Sequence, residues 1–296
     1  MRANQSSLTA MGTTAQRAIE MEKPADERIC SDPFARAFLP AWFYAFMKHL
    51  TATRYAQSRA AGDLGFIVAR CRYMDDMLTE ALDQEIQQLV ILGAGYDSRA
   101  YRFDRLKDGM KVFEVDHPAT QQAKRKKLGR ILGAGGLPGY LTFVPIDFTR
   151  QPLAKRLPEF GYSERLKTLF IWEGVTMYLD ASSVEDTLAF VAGHSAPGSA
   201  IVFDYMCKPP APPNRDAGIL LLSFLRRFFD EVRGFAIETG QIEPFLARCG
   251  FSQVRNIEAA DLLRCYFTGR NAGRKVTSDY AIAMGMVGKM NCGGTL

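Results

Sequence analysis

Four strand ends in this chain carry residue types that could hold a nucleotide-like ligand. "VILGAGYDSRAYRF" (90–103) passes from an apolar run into Gly93-Ala94-Gly95 and then into a polar, helix-compatible stretch. "VFEVDHP" ends in Asp116, "FVPIDF" in Asp147-Phe148, and "FIWEGVTMYL" places Glu173 directly after an apolar strand. A glycine at a strand end permits a tight turn, and a second lets the backbone approach a ligand with no Cβ in the way. The helix start that follows offers free N–H groups. A dinucleotide fingerprint would require a third glycine where this chain has Ser98.

The acids narrow the choice of ligand. Asp116 follows Gly93 by 23 residues, a spacing at which a carboxylate can accept both hydroxyls of an unphosphorylated ribose. Its bland alternative is a helix cap ahead of Pro118. Asp147-Phe148 suits an adenine, the acid accepting from the exocyclic amine and the ring covering the base. Glu173 stands at the carboxyl mouth of the fourth strand, where open α/β sheets bind ligands. Successive carboxylates suit a sulfonium and an ammonium group and would repel a pyrophosphate. The electrostatics therefore favour S-adenosylmethionine over NAD. The amino-acid carboxylate of such a cofactor needs a cation, and Arg70 on the preceding helix can meet it as a bidentate fork. Arg70 or Arg72 could equally pair with Asp75 or Asp76 at helical spacing.

Methyl transfer from a sulfonium needs alignment and exclusion of water more than it needs a base. A carboxylate acceptor is already ionised at neutral pH, whereas a phenol, with a pKa near 10, would gain from a base or a cation. Tyr178, His117 and Tyr205 lie near the expected mouth. Tyr178 is the candidate catalytic residue, and ordinary packing beside Met177 and Leu179 is its alternative. His117 shapes the adenosine pocket.

The elements that would position these residues follow from periodicity. Apolar runs at Gln88–Leu92, Lys111–Val115, Leu141–Ile146, Thr168–Trp172 and Ala200–Phe203 alternate with helical segments. That alternation predicts βαβ units and a mostly parallel sheet. Ahead of them, residues 1–12 should fray, Thr13–Met21 is helical, and Ser31-Asp32-Pro33 starts a helix with aromatic positions through Leu50. A longer helix covers Gly65–Leu82. Beyond Ala200–Phe203, the proline-rich 208–213 stretch predicts a loop. Helices follow at about 216–230 and 240–248, then strands at Ser252–Ile257 and Leu263–Thr268. The Gly- and Met-rich end has no assigned element.

Bulk properties bound the rest. The 296 residues carry a net charge of +5, too small to argue for nucleic acid, and 47% hydrophobic residues, ordinary for a globular chain. Six scattered cysteines without a C-x-x-C predict neither a zinc site nor a disulfide framework, and suit a reducing compartment. The longest apolar run is far short of the roughly 20 residues of a membrane span. The start lacks a secretory pattern, so a cytoplasmic protein is expected. "AKRKKLGR" (123–130) reads as a solvated helix face, "LGAGGLPG" (132–139) as a loop after a helix. "GHSAPG" lacks the final glycine of a nucleophile elbow, and "GMVGKM" is no P-loop.

"FIVARCRYMDD", "VILGAGYDSRAYRF", "VFEVDHP", "FVPIDF" and "IWEGVTMYL", in that order, resemble the leucine carboxyl methyltransferase-like family of class I S-adenosylmethionine-dependent O-methyltransferases. "AQRAIEMEKPADERICSDPFA", "VFDY" and "IEPFLARCGF" fit its bacterial branch, which includes polyketide O-methyltransferases. The resemblance covers about residues 13–268. It implies a Rossmann-like class I methyltransferase fold, a mostly parallel seven-stranded α/β sheet with an antiparallel edge and a helical cap. It implies that Arg70 holds the cofactor carboxylate, Gly93-Ala94-Gly95 line the methionine part, Asp116 takes the ribose, Asp147 and Phe148 the adenine, and Glu173 the amino group. One domain over 1–296 is expected: N-terminal helices at 13–85, a core at 86–205, a cap insertion at 208–235 and a sheet edge at 236–270. The acceptor pocket would lie between 34–61 and 215–233. The expected activity is methyl transfer to a carboxylate or phenolic hydroxyl of a small, aromatic or polyketide-like metabolite, by a monomer or homodimer without a membrane partner. A protein C-terminal carboxylate as acceptor, an NAD-dependent oxidoreductase, and a non-catalytic cofactor binder are the alternatives.

Overall fold

Five consecutive buried residues, Gln88–Leu92, make a strand that can exist only with both of its faces covered, and this strand (β1) is the centre of the molecule. The computed structural model describes residues 3–53, 60–148, 151–207 and 234–288. Around β1 lie β2 (Lys111–Asp116), β3 (Leu141–Pro145), β4 (Thr168–Trp172), β5 (Ala200–Met206), β6 (Phe251–Ile257) and β7 (Tyr280–Val287). They form one seven-stranded sheet in the order β3-β2-β1-β4-β5-β7-β6. The first five are parallel, and β7 runs antiparallel to both β5 and β6. This is the expected mostly parallel sheet with an antiparallel edge. The chain order reverses at the β1/β4 boundary, the place where such sheets open a crevice at their carboxyl ends.

The helices are α1 (Ala3–Glu20), α2 (Ala41–Ala52), α3 (Ala61–Asp83), the single turn α4 (Arg99–Arg102), α5 (Pro118–Ile131), α6 (Leu153–Glu159), α7 (Ala181–Gly193), α8 (Ile242–Arg248) and α9 (Ala259–Tyr266). They cover both faces of the sheet. On one face Leu89 and Ile91 pack with Met74 and Leu78 of α3; on the other, Val90, Phe170 and Ile201 pack with Leu188 of α7 and Leu246 of α8. Local chemistry sets the helix starts: Pro118 opens α5 behind a His117 cap, and Asp180 caps α7 by accepting from Ser183 N at 2.8 Å. Among the described residues no helix is long and apolar enough to cross a membrane.

Several expectations change. Helix α1 already begins at Ala3, so the described part of the stretch expected to fray, residues 3–12, is helical. The aromatic run breaks at Leu39-Pro40 into a 3₁₀ turn, Ala35–Phe38, and α2, because proline cannot continue the first turn's hydrogen bonds. Leu263–Thr268 is not a strand. It falls mostly in α9, whose start is locked by a capping box in which Glu258 and Asp261 satisfy each other's backbone N–H. The seventh strand comes instead from the unassigned end. There Gly285 is required, since a Cβ would stand 2.9 Å from the Phe251 ring. The 208–213 loop and the 216–230 helix lie outside the described residues.

Candidate cofactor site

The glycine turn leaves β1 at the reversal point. Gly93 has φ +63°, and a Cβ there would stand 2.4 Å from Val175 Cγ2, so the turn and the loop after β4 approach too closely for any side chain. Asp97 Oδ1 accepts from Arg99 N at 2.7 Å, starting α4. Ser98 turns away from the helix start and donates to Asp32 Oδ1 at 2.7 Å.

Asp116 ends β2 facing that turn. Its Oδ2 accepts from Gly95 N and its Oδ1 from His117 N, each at 2.6 Å. Burial pushes its carboxyl up, and the two N–H donors offset that only in part. His117, rather than Asp116, is the helix cap: its Nδ1 accepts from Ala119 N at 3.3 Å. Beyond β3, Ile146 N donates to Asp116 O at 2.9 Å, which sets Asp147 beside the Asp116 strand end. Asp147 N donates to Gln151 Oε1 at 3.1 Å, and Phe148 packs half-buried against the core beneath.

Glu173 follows β4 and is the hub of an ion network. Its Oε1 accepts from Arg70 Nε at 3.2 Å and its Oε2 from Arg99 Nη1 at 2.8 Å. Arg70 also pairs with Asp204 of β5, whose other oxygen accepts from Gly174 N at 2.6 Å. Arg99 pairs in addition with Asp97 and, at 2.8 Å, with Asp75. Burial alone would push the Glu173 carboxyl up, but Arg99, Arg70 and Arg17 outweigh it and hold it at about 2. The surface pairing open to Arg70 at helical spacing does not form. Arg72 takes Asp76 at 2.8 Å, and Asp75 faces Arg99 and Arg102.

Tyr178 closes a 3₁₀ turn after β4 and hydrogen-bonds Thr9 of α1. Burial pushes its phenol up to about 12. Tyr205 follows Asp204 at the end of β5 but is turned away from the ion network: its side chain is buried and donates to Asn256 Oδ1 at 2.9 Å. The "AKRKKLGR" segment is only partly a solvated face, because Lys124 is buried against Glu114 at 2.7 Å and Lys127 bonds Phe38 O.

The structure thus brings Gly93, Gly95 and Asp116 into one turn, and Arg70 and Glu173 into one network. It adds Arg17, Arg99 and Asp204, which sequence alone did not single out, and pairs Asp97 with Arg99. Arg99 sits inside the quoted "DSRAYRF", where a four-residue helix gives no periodicity to reveal that the side chain is fully buried.

Residues 10–192 match the model of the leucine carboxyl methyltransferase family. YktD of Bacillus subtilis, named as an S-adenosyl-L-methionine-dependent methyltransferase, is 40% identical over 138 residues, 47% of this chain and 44% of that protein. Relatives of the same description in Streptomyces coelicolor and Streptomyces avermitilis are 32% and 34% identical over 192 residues, 64% of this chain and 66% of theirs. The aligned part therefore spans less than two thirds of these relatives' own length. With the match covering the glycine turn, Asp116, Asp147 and Glu173 alike, this chain belongs to the leucine carboxyl methyltransferase family.

Proposed function

We propose that this chain binds S-adenosylmethionine at the carboxyl ends of β1, β2 and β4 and transfers its methyl group to an oxygen of a small molecule. The observation that carries this reading is the Arg70–Glu173 ion pair, 3.2 Å long and buried beside the glycine turn. The methionine head of the cofactor is a zwitterion. Its carboxylate suits Arg70 and its ammonium suits Glu173, so it can enter the pair without changing the net charge of the site. Arg70 keeps Asp204 and Glu173 keeps Arg99 throughout. A pyrophosphate would instead bring negative charge beside Asp97, Asp116 and Glu173, which disfavours an NAD-dependent oxidoreductase.

In this reading Gly93-Ala94-Gly95 line the methionine part, Asp116 accepts from the ribose hydroxyls, and Asp147 and Phe148 hold the adenine edge and face. His117 borders the ribose. The bound cofactor supplies an electrophilic methyl group, and the protein contributes alignment and exclusion of water. A carboxylate acceptor needs no base. Tyr178 suits that chemistry, because a phenol with a pKa of about 12 stays protonated at neutral pH and donates a hydrogen bond to the acceptor oxygen. An aromatic or polyketide-like carboxylic acid or phenol is the proposed acceptor class.

Calorimetric titration with S-adenosylmethionine, S-adenosylhomocysteine and NAD tests the cofactor, with S-adenosyl binding expected. Tight NAD binding without S-adenosyl binding overturns the reading. Turnover on a panel of carboxylic acids and phenols then tests the acceptor class.

A further inference from the structure

Asp32 lies far from the glycine turn in sequence yet is 1% exposed and bonded to it. One oxygen, Oδ1, accepts from Phe34 N and Ala35 N at 3.1 Å each and from Ser98 Oγ at 2.7 Å. The other, Oδ2, stands 3.3 Å from Arg17 Nε. Ser98 Oγ in turn accepts from Arg102 Nε at 2.9 Å. Arg17 reaches past Asp32 to the turn itself, its Nη2 donating to Tyr96 O at 2.8 Å and to Thr14 Oγ1 at 3.1 Å. Asp32 therefore ties helix α1, the 3₁₀ segment and the turn 93–98 together.

These ties decide where α1 sits. A Cβ on Gly95 would stand 3.5 Å from the Ala10 methyl, and Thr9 bonds Tyr178, so α1 lies across from the glycine turn to the loop after β4. The Arg17 guanidinium is buried and needs a counter-charge. The carboxylates it feels are Asp32 first, then Glu173 and Asp97. With Asp32 neutralised, Arg17 loses the carboxylate 3.3 Å from its Nε, and with it the anchor that keeps its Nη2 on Tyr96 O.

We propose that Asp32 is a positioning residue for cofactor binding: it holds Arg17 and Ser98 so that helix α1 and the turn 93–98 keep their places at the cofactor site. The proposal rests on the S-adenosylmethionine reading above. Asp32→Asn preserves an oxygen for the backbone and Ser98 donors but removes the charge facing Arg17. Its expected effect is an S-adenosylhomocysteine Kd about tenfold higher, the size of one weakened buried ion contact, with an unchanged circular dichroism spectrum. Because Asp32 acts through Arg17, the double variant with Arg17→Met should bind no more weakly than Arg17→Met alone.

An Asp32→Asn affinity equal to wild type overturns the proposal. So does a loss that adds in full to that of Arg17→Met, which is what a merely structural residue would give. If Asp32→Asn does not fold, Ser98→Ala cuts the turn-side tie alone and should raise the Kd about threefold, roughly half the energy of the full tie. Unchanged affinity in that variant overturns the proposal too. Failure of the wild-type protein to bind S-adenosylhomocysteine is a different outcome, and overturns the cofactor reading on which the proposal stands.

Discussion

One glutamate is buried within the sheet and another stands at its mouth, and their chemistry diverges. Glu114, in the middle of β2, is fully buried with Lys124 Nζ at 2.7 Å. Glu173, at the mouth of β4, faces Arg99 at 2.8 Å and Arg70 at 3.2 Å, with Arg17 beyond. Burial pushes both carboxyls up. One lysine recovers only part of that cost, and Glu114 stays high, at about 7. Three arginines more than recover it, and Glu173 is held at about 2. Burial sets the penalty, and the number of cations decides its sign. The mouth of the sheet is therefore built to keep charge in place, while the middle of β2 holds charge reluctantly.

The largest effect should come from removing the hub. Glu173→Gln leaves Arg70 and Arg99 short of a counter-charge, and breaking a buried ion network of this kind costs about 3–5 kcal/mol. Denaturant unfolding should report that loss, and calorimetry should show S-adenosylhomocysteine affinity reduced at least about 100-fold, the equivalent of two charged hydrogen bonds. A variant within about 1 kcal/mol of wild type would mean that the arginines do not depend on Glu173 and that the contrast with Glu114 is wrong.

Asp116 stands between the two extremes. It is half-buried at the strand end, and two backbone N–H groups hold it in place of a side-chain cation. Asp116→Ala should weaken S-adenosylhomocysteine binding by about 100-fold, through two lost bonds to ribose hydroxyls, and should lower the melting temperature modestly because Gly95 N and His117 N lose their acceptor. Retained affinity removes the ribose assignment.

The two glutamates also make opposite contributions to stability as pH changes. The folded pKa of Glu173 is depressed, so its contribution is complete above the unfolded value of 4.5 and is lost as pH falls toward about 2. The folded pKa of Glu114 is raised, so the folded state holds its proton more tightly than the unfolded chain does. Its stabilising protonation is complete below 4.5 and is lost as pH rises through about 7. That difference amounts to about 3 kcal/mol over the window. In the paired variant Glu114→Gln/Lys124→Met the slope should vanish. The stability of wild type relative to the variant should decline between pH 5 and pH 8, and the variant should be as stable or more stable at pH 8. A difference that stays constant across this range would place Glu114 with an ordinary pKa.

What was legible in the sequence divides along the same line. The strand ends were legible because unbroken apolar runs such as "QLVIL" meet glycine or acid at one point, and β1 and β4 have the predicted bounds. Their chemistry was legible where the residue itself ends a strand, as with Asp116 and Glu173. The counter-charges were not, because Arg17, Arg99 and Asp204 reach the mouth from separate elements through contacts that no local period encodes. The edge failed for a different reason. "LLRCYFT" has strand-like composition, yet the Glu258 and Asp261 capping box starts a helix there, while β7, "YAIAMGMV", spends its positions on Ala, Gly and Met, which carry little strand preference.

Tyr178 provides the smallest and most discriminating change. It shares the mouth with Glu173 but is a neutral acid, pushed up to about 12 by burial, and so is protonated across the pH range in which methyl transfer would be assayed. A group that keeps its proton cannot serve as a general base, whereas it can still orient an acceptor oxygen. Tyr178→Phe should therefore lower kcat by less than about tenfold, the size of one neutral hydrogen bond, and leave S-adenosylhomocysteine affinity unchanged. The pH profile of kcat should keep its shape. Were Tyr178 the base, the variant would lose about 100-fold or more, and the rising limb of the profile would disappear with it. In that case the mouth would have to lower the pKa of Tyr178 on binding ligand, as it lowers that of Glu173, and Arg70, which already favours the phenolate, would be the cation responsible.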